Sequence, residues 1–195
     1  MCPPDQWGRT YVSAQVISNV ADVVHQLGDM SRSMRLANFD YSSPNAYFIT
    51  VITQDRAPLF GTVEESEGTV HLNDIGKMIQ RWWMKTPKKF PSVTFDASVA
   101  MPDHFHGIVL VNCVASQPGG SPSLSRVIQW FKTMTTAEYF RGVRDSGWPR
   151  VARRLWQRSF HDHMIRSEKE LAEIRLYIEG NPGRLWERYT GSSRL

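Results

Sequence analysis

The chain has 195 residues, of which 41% are hydrophobic and 22% charged, and its formal net charge at pH 7 is +4. This length supports one domain with a substantial core and is too short for two large domains. No run of about 18 apolar residues occurs and the N-terminus lacks the pattern of a secretion signal, so we expect a cytoplasmic protein without a membrane span.

The N-terminal segment differs from the rest of the chain. Residues 1–30 mix proline, glycine and polar residues with one short apolar piece, which predicts a poorly ordered or accessory segment. Residues 31–190 are expected to form the main domain, and residues 191–195 a short tail.

The first part of the predicted domain begins with strands. Residues 46–53 are rich in β-branched and aromatic side chains and predict the first strand. Two short strands at 58–63 and 68–72 flank an acidic turn and predict a hairpin. Asn73 is the predicted N-cap of a helix with apolar residues at helical spacing, which Pro87 is expected to stop.

Two paired strands are predicted next. Residues 92–101 alternate in polarity, so that Val93, Phe95 and Ala97 are expected on one face of a strand. The apolar run at 104–111 follows after a short break and predicts the antiparallel neighbour of that strand.

The C-terminal part is predicted to contain two helices and one strand. A linker rich in Gly, Pro and Ser precedes a helix over residues 124–140, which Ser123 or Ser125 is expected to cap. Residues 141–154 are expected to form an arginine-rich loop and residues 155–165 a short strand. The last helix covers residues 168–181 and is expected to stop at Pro182. This order of elements predicts an α+β fold, an antiparallel sheet with packed helices, ferredoxin-like in general shape.

Positive charge is concentrated in the C-terminal part of the chain. From residue 123 onward there are 14 Lys and Arg against 8 Asp and Glu, a net charge of +6, and 12 of the 14 are Arg. Arginine suits bidentate phosphate contacts and stacking on bases. The pattern indicates a surface for a polyanion, and a merely solvated surface is the other explanation.

Two histidines one residue apart, His104 and His106, open the apolar run at 104–111. Successive side chains of a strand point to opposite faces, so both imidazoles project from one face and Phe105 from the other. One strand can thus offer two metal ligands, although such histidines are more often surface or core residues.

Two further pairs could take part in chemistry. Tyr177 and Asn181 are four residues apart on the last predicted helix, so that a phenol and an amide can reach one site. By default, such a tyrosine is a core residue. His161 and His163 share a strand face and could bind metal or phosphate or form polar surface.

Together these motifs resemble the REP-associated tyrosine transposases, members of the HUH single-tyrosine transposase family. The resemblance runs from about residue 32 to 189 and rests on the segments NFDYSSPNAYFITVIT, LNDIGKMI, MPDHFHGIV, LWQRSFHDHMIRSEKEL and YIEGNP. It implies the HUH endonuclease fold. It also implies a metal-dependent transesterase that cleaves and rejoins single-stranded DNA at REP-like hairpins through a 5′-phosphotyrosine.

The resemblance implies roles for individual residues. His104 and His106 match the paired metal-ligand histidines, and Tyr177 matches the nucleophile. Asn181 matches the polar residue one turn later and is expected to be the third ligand of Mg²⁺ or Mn²⁺. Asp103 departs from the family pattern, because it stands where asparagine is common.

The expected partner is single-stranded DNA with a hairpin, bound by a monomer or a homodimer. The residues expected to contact this DNA are four arginines and the histidine that keeps the family position: Arg150, Arg153, Arg154, Arg158 and His163. His161 has no counterpart in the family pattern.

Two other functions remain open at this point. The chain could be a non-catalytic relative that binds DNA hairpins and in which Tyr177 only packs. Alternatively, it could be a Zn²⁺-dependent hydrolase that needs no tyrosine and uses four histidines: His104, His106, His161 and His163.

Overall fold

The computed structural model describes residues 45–64, 69–111 and 122–191, with the backbone alone for 182–191. These residues form the strands β1 Asn45–Ile52, β2 Gly61–Glu64, β3 Thr69–Leu72, β4 Val93–Met101, β5 His104–Val111 and β6 His161–Ile165, and the helices α1 Asp74–Lys89, α2 Leu124–Asp145 and α3 Glu168–Gly191. The predicted N-terminal segment and nearly all of the predicted tail lie outside the described residues.

The main sheet has four antiparallel strands in the order β4-β5-β1-β6, and β2 and β3 form a separate hairpin. At one end of the sheet, Ile52 of β1 pairs with His104 of β5. Near the same end, Thr50 of β1 pairs with His161 of β6. The last residues of β1 and the first residues of β5 and β6 therefore meet at one end, which we call the histidine end.

Helices cover both faces of this sheet. Helices α1 and α2 bury large side chains such as Trp83 and Phe131 against one face. Helix α3 packs on the other face through Leu171, Ile174 and Ile178. These three layers confirm the predicted α+β fold. Within the described residues, each helix is too short or too polar to cross a bilayer.

The helices begin where the sequence predicts. Asn73 accepts a hydrogen bond from the Gly76 N–H through its side chain, at 3.0 Å. Ser123 caps α2 in the same way by accepting from the Arg126 N–H, at 3.3 Å. Each cap accepts from a backbone N–H of the first turn, where donors lack the carbonyl four residues earlier that helix residues further on use.

The helix ends differ from the predictions. Helix α1 continues through Pro87 to Lys89, and α3 continues through Pro182 to Gly191. A proline removes one backbone hydrogen bond but does not end a helix whose neighbouring bonds persist. In α1, the Phe90 N–H still donates to the Thr86 carbonyl at 3.0 Å.

Helix α2 also runs further than predicted, because it includes residues 141–145 of the expected loop. Its last turn is held from outside the helix. Tyr139 Oη donates to the Pro149 carbonyl, and Trp148 packs so closely on Gly142 that a Cβ there would lie 2.2 Å from its ring.

Strands β4 and β6 also correct the predictions. The pairing of β4 with β5 shifts between Phe95 and Ser98. Such a bulge breaks the alternation, so Val93 and Phe95 pack towards α1 and α2 whereas Ala97 packs towards α3. Only the end of the strand predicted at 155–165 forms β6.

Candidate metal and tyrosine site

The sheet face under α3 carries two histidines at the histidine end. His104 and His106 project from this face of β5, and their ring centroids are 4.6 Å apart. Both are buried, with 9% and 5% of their surface exposed. Their spacing predicted the shared face, and the structure adds the burial.

Each imidazole is oriented by a contact through Nδ1. His104 Nδ1 lies 2.5 Å from Asp103 Oδ1, and His106 Nδ1 lies 2.9 Å from Thr50 Oγ1. An ionised carboxylate can only accept a hydrogen bond, so His104 carries its proton on Nδ1. Nε2 of each ring is the nitrogen that these contacts leave for a ligand.

The electrostatics favour a neutral imidazole at His106. Burial lowers the pKa of His106 well below the usual 6.5, and the neighbouring His104 lowers it further. At neutral pH, this ring therefore has no extra proton to lose before it binds a metal ion. Its buried, neutral imidazole fits the role of a ligand for a divalent cation.

Asp103 remains ionised in this surrounding. Burial by itself raises the pKa of Asp103, but the contacts with His104 and Arg56 outweigh burial and hold the pKa below 3.8. Arg56 Nη1 lies 3.3 Å from Asp103 Oδ2. The carboxylate thus stands between a histidine and a guanidinium.

Helix α3 places Tyr177 over His106. The centroid of the Tyr177 ring lies 5.5 Å from that of His106 and 6.0 Å from that of Phe48. Asn181 follows one turn later and is 6% exposed. Residues four apart share a face of a helix, so the tyrosine and the amide face the sheet together.

The position of α3 is fixed at both edges of the sheet. Arg175 donates to Asp96 of the edge strand β4, with Nε 2.8 Å from Oδ1. His163 of the opposite edge strand, β6, lies 2.6 Å from Glu170 through its Nε2. These two contacts bracket the helix and hold Tyr177 above the central strands.

The other two histidines have different surroundings. His163 contacts Glu170, with 28% of its side chain exposed, and its contact with DNA stays a prediction. His161 shares the sheet face of His106 but lies two strands away. Within the described residues, no group of three or more His, Cys, Asp and Glu side chains could hold a metal ion, so the four histidines form no common zinc centre.

The segment after α2 crosses the histidine end of the sheet. The Gln54 N–H donates to the Leu155 carbonyl, and the Gln157 N–H donates to the Ile52 carbonyl, both at 2.9 Å. Lys132 of α2 reinforces the segment by donating to three successive carbonyls, at 2.6 Å from that of Gln157 and further from the next two.

This segment presents the predicted arginines to solvent. Arg150, Arg153, Arg154 and Arg158 are all exposed. The last three line an open groove of about 620 Å³ together with glutamines and Asp55. Since Ile52 is the cross-strand neighbour of His104, the groove lies at the same end of the sheet as the histidines.

Several supporting residues were not identified from the sequence. Thr50 contacts His106, which lies 56 residues later in the chain. Asp96 pairs with Arg175, which lies 79 residues later. The alternation of β1 could have placed Thr50 on the face of Phe48. Its partner, however, depends on the register between β1 and β5.

Comparison with known proteins finds relatives of this chain. No family model matches the chain. An uncharacterized protein from Haemophilus influenzae is 31% identical over 175 residues, covering 80% of this chain and 90% of that protein. A second protein of this bacterium, provisionally named a REP-associated tyrosine transposase, is 27% identical over 146 residues, or 73% of each chain.

One solved structure shares the fold. It is that of a REP-associated tyrosine transposase bound to a REP hairpin, with a TM-score of 0.52 and 22% sequence identity. The match covers 77% of this chain and 74% of the other. The antiparallel sheet with its three helices is therefore a fold found among transposases of this type.

Proposed function

We propose that this chain, which belongs to the family of REP-associated tyrosine transposases, cleaves and rejoins single-stranded DNA beside a REP-like hairpin through a 5′-phosphotyrosine intermediate. The observation that carries the proposal is the placement of Tyr177 on His106, with 5.5 Å between ring centroids, above the face that also holds His104. The relative of known structure that is bound to a REP hairpin supports the choice of DNA.

The metal part of the proposal rests on the donor set. Nε2 of His104, Nε2 of His106 and the side-chain oxygen of Asn181 are the groups that would hold Mg²⁺ or Mn²⁺. Imidazole and oxygen ligands suit Mn²⁺, and Mg²⁺ can bind the same groups when water molecules complete its octahedral coordination. A bound ion would supply Lewis-acid polarisation of the scissile phosphate.

The tyrosine needs this help. A free tyrosine has a pKa near 10, so about one in a thousand is ionised at pH 7, a deficit of roughly 4 kcal/mol. The tyrosine is also held in place, because the contacts of α3 with Asp96 and His163 restrict how it approaches a phosphate.

The reaction conserves the energy of the DNA backbone. Tyr177 Oη forms a bond to phosphorus while the bond from phosphorus to O3′ breaks, the phenol proton departs and the leaving O3′ takes up a proton. The DNA 5′ end is then linked to Tyr177. Another 3′-hydroxyl can attack this link and restore a phosphodiester without ATP.

A single gel experiment tests the proposal. The protein is incubated with Mn²⁺ and a labelled single-stranded hairpin that carries short tails, and the products are separated under denaturing conditions. Tyr177→Phe is the matched variant, because it keeps the ring that packs on His106 and removes only the hydroxyl. We expect a metal-dependent protein–DNA band with the unaltered protein and none with the variant.

The other outcomes point to the alternative functions. If the variant still cleaves DNA, water is the nucleophile and the tyrosine mechanism is wrong. If both proteins bind hairpins of several sequences and neither cleaves them, the chain is a hairpin-binding relative in which Tyr177 only packs.

A further inference from the structure

The carboxylate of Asp103 contacts both His104 and Arg56, and the proposed reaction assigns it no role. It lies in the two-residue turn between β4 and β5, directly before His104. One carboxylate oxygen is 2.5 Å from His104 Nδ1 and the other is 3.3 Å from Arg56 Nη1. Only 21% of its side chain is exposed.

The backbone around Asp103 is fixed from the other side of the turn. The Asp103 carbonyl accepts from the Thr53 N–H at 2.9 Å and from Thr53 Oγ1 at 2.8 Å. The Pro102 carbonyl accepts from the Phe60 N–H at 3.0 Å. The carboxylate therefore projects from a turn that cannot easily reorient.

The residue that contacts Asp103 from outside is also held in an uncommon conformation. Arg56 has φ of 50° and the preceding Asp55 has φ of 57°. Two successive left-handed residues other than glycine are uncommon and occur where the surrounding structure imposes them. This turn brings the guanidinium of Arg56 to the carboxylate of Asp103.

We propose that Asp103 is a positioning residue for the metal site, whose carboxylate holds the Nδ1–H of His104 and keeps Nε2 oriented and electron-rich for the ion. This inference rests on the proposed role of His104 as a ligand. A carboxylate on the far nitrogen of a ligating histidine fixes its tautomer and raises its basicity. An asparagine could accept the same hydrogen bond but would supply no charge.

The effect should be measurable without DNA and without catalysis. Free Mn²⁺ is followed by electron paramagnetic resonance while it is titrated with the full-length protein, which gives the affinity for the metal alone. We expect Asp103→Asn to weaken Mn²⁺ binding by about 10-fold to 100-fold, since this is the usual effect of losing such a partner. Asp103→Ala should weaken it at least as much.

Two further variants separate charge and folding from positioning. Asp145→Asn removes the same charge from an exposed aspartate that pairs with Arg144 at the C-terminal end of α2, on the opposite side of the sheet from α3, and it should leave the affinity within about twofold. Arg56→Ala removes the outer contact of Asp103 but keeps His104. If Asp103 only locked its turn, Arg56→Ala would weaken Mn²⁺ binding as much as Asp103→Asn does.

The remaining outcomes are distinct. Unchanged Mn²⁺ affinity in Asp103→Asn, beside measurable binding by the unaltered protein, overturns the inference and leaves the proposed function standing. Failure of the unaltered protein to bind Mn²⁺ overturns both the metal part of the proposed function and this inference. Thermal unfolding of each variant without metal verifies that its fold is retained.

Discussion

Asn181 gives the candidate site a neutral oxygen where many metal sites have a carboxylate. It is 6% exposed and lies one helical turn beyond Tyr177. With two imidazoles and one amide, all three proposed ligands are uncharged. Asp103 contributes a charge beside one of them, because its carboxylate contacts His104 Nδ1. Such a site leaves most of the charge of a divalent ion to be balanced by the phosphate of the substrate.

Substitutions of Asn181 test its role as a ligand. We expect Asn181→Ala to lower Mn²⁺-dependent cleavage by at least 10-fold, because the oxygen ligand is lost. Asn181→Asp keeps the oxygen and adds a charge, so it should bind Mn²⁺ more tightly. Because an unpaired carboxylate is costly in a buried position, this variant without metal should unfold at a lower temperature than the unaltered protein, and Mn²⁺ should raise its unfolding temperature.

Rates measured over a range of Mn²⁺ concentrations, together with thermal unfolding with and without Mn²⁺, distinguish these effects. Cleavage by Asn181→Ala with the unaltered dependence on Mn²⁺ would show that Asn181 is not a ligand.

At the scale of elements, β5 serves the site on one face and the core on the other. Gly107 follows His106 and turns towards Trp83, where a Cβ would lie 2.6 Å from the ring. Trp83 is 1% exposed and stacks on Phe95 with 3.8 Å between centroids. Because Phe105 and Phe131 also pack on this ring, a Cβ at position 107 would force the ring or the strand to shift.

We predict that Gly107→Ala destabilises the fold by about 1–3 kcal/mol, the usual cost of overpacking a core. Gly180→Ala is the control, since a Cβ on this residue of α3 would meet no atom within 4 Å and should add about 0.5–1 kcal/mol of stability. Urea unfolding of both variants measures the difference. Equal midpoints for Gly107→Ala and the unaltered protein would mean that Trp83 can move.

The sequence predicts the start or end of an element only where residues close in the chain determine it. The caps act within one turn, so the sequence located Asn73 and left two candidates, Ser123 and Ser125, for the second helix, of which the structure shows Ser123. The bulge after Phe95 could not be predicted, since strict alternation assumes an unbroken ladder with β5. The end of α3 could not be predicted from Pro182, because a single missing donor does not decide where a helix ends.

The same distinction applies to the candidate site. The shared face of His104 and His106 follows from strand geometry, and the shared face of Tyr177 and Asn181 from helix geometry. The packing of Tyr177 on His106 depends on how α3 crosses the sheet. The contacts of Arg175 and Glu170 with the edge strands bracket that crossing, and spacing along the chain does not reveal them.

At the scale of the whole molecule, the arginine groove and the candidate site share the histidine end of the sheet. The groove segment is anchored to the core by Leu155 and Trp156, which are buried, and to α2 by Lys132. Among the described residues, no carboxylate forms an ion pair with the four exposed arginines. Their charge is therefore available for phosphate contacts with the proposed DNA substrate.

This arrangement predicts how binding responds to salt. If all four arginines contact phosphates of a single strand, the logarithm of the affinity should fall with the logarithm of salt concentration with a slope of about −2.8, at roughly 0.7 per contact. Affinity would then drop about 50-fold between about 50 and 200 mM salt. The measurement uses fluorescence anisotropy and Tyr177→Phe, which should bind the hairpin without forming a covalent link.

Removal of the groove charges should flatten this dependence. Changing Arg153, Arg154 and Arg158 to Gln together should reduce the magnitude of the slope by about 2. It should weaken binding to hairpins of different sequence to the same extent, because phosphate contacts carry no sequence information. Arg144→Gln is the control, since this exposed arginine already pairs with Asp145 at the end of α2. An unchanged slope in the triple variant would place the DNA backbone elsewhere on the molecule.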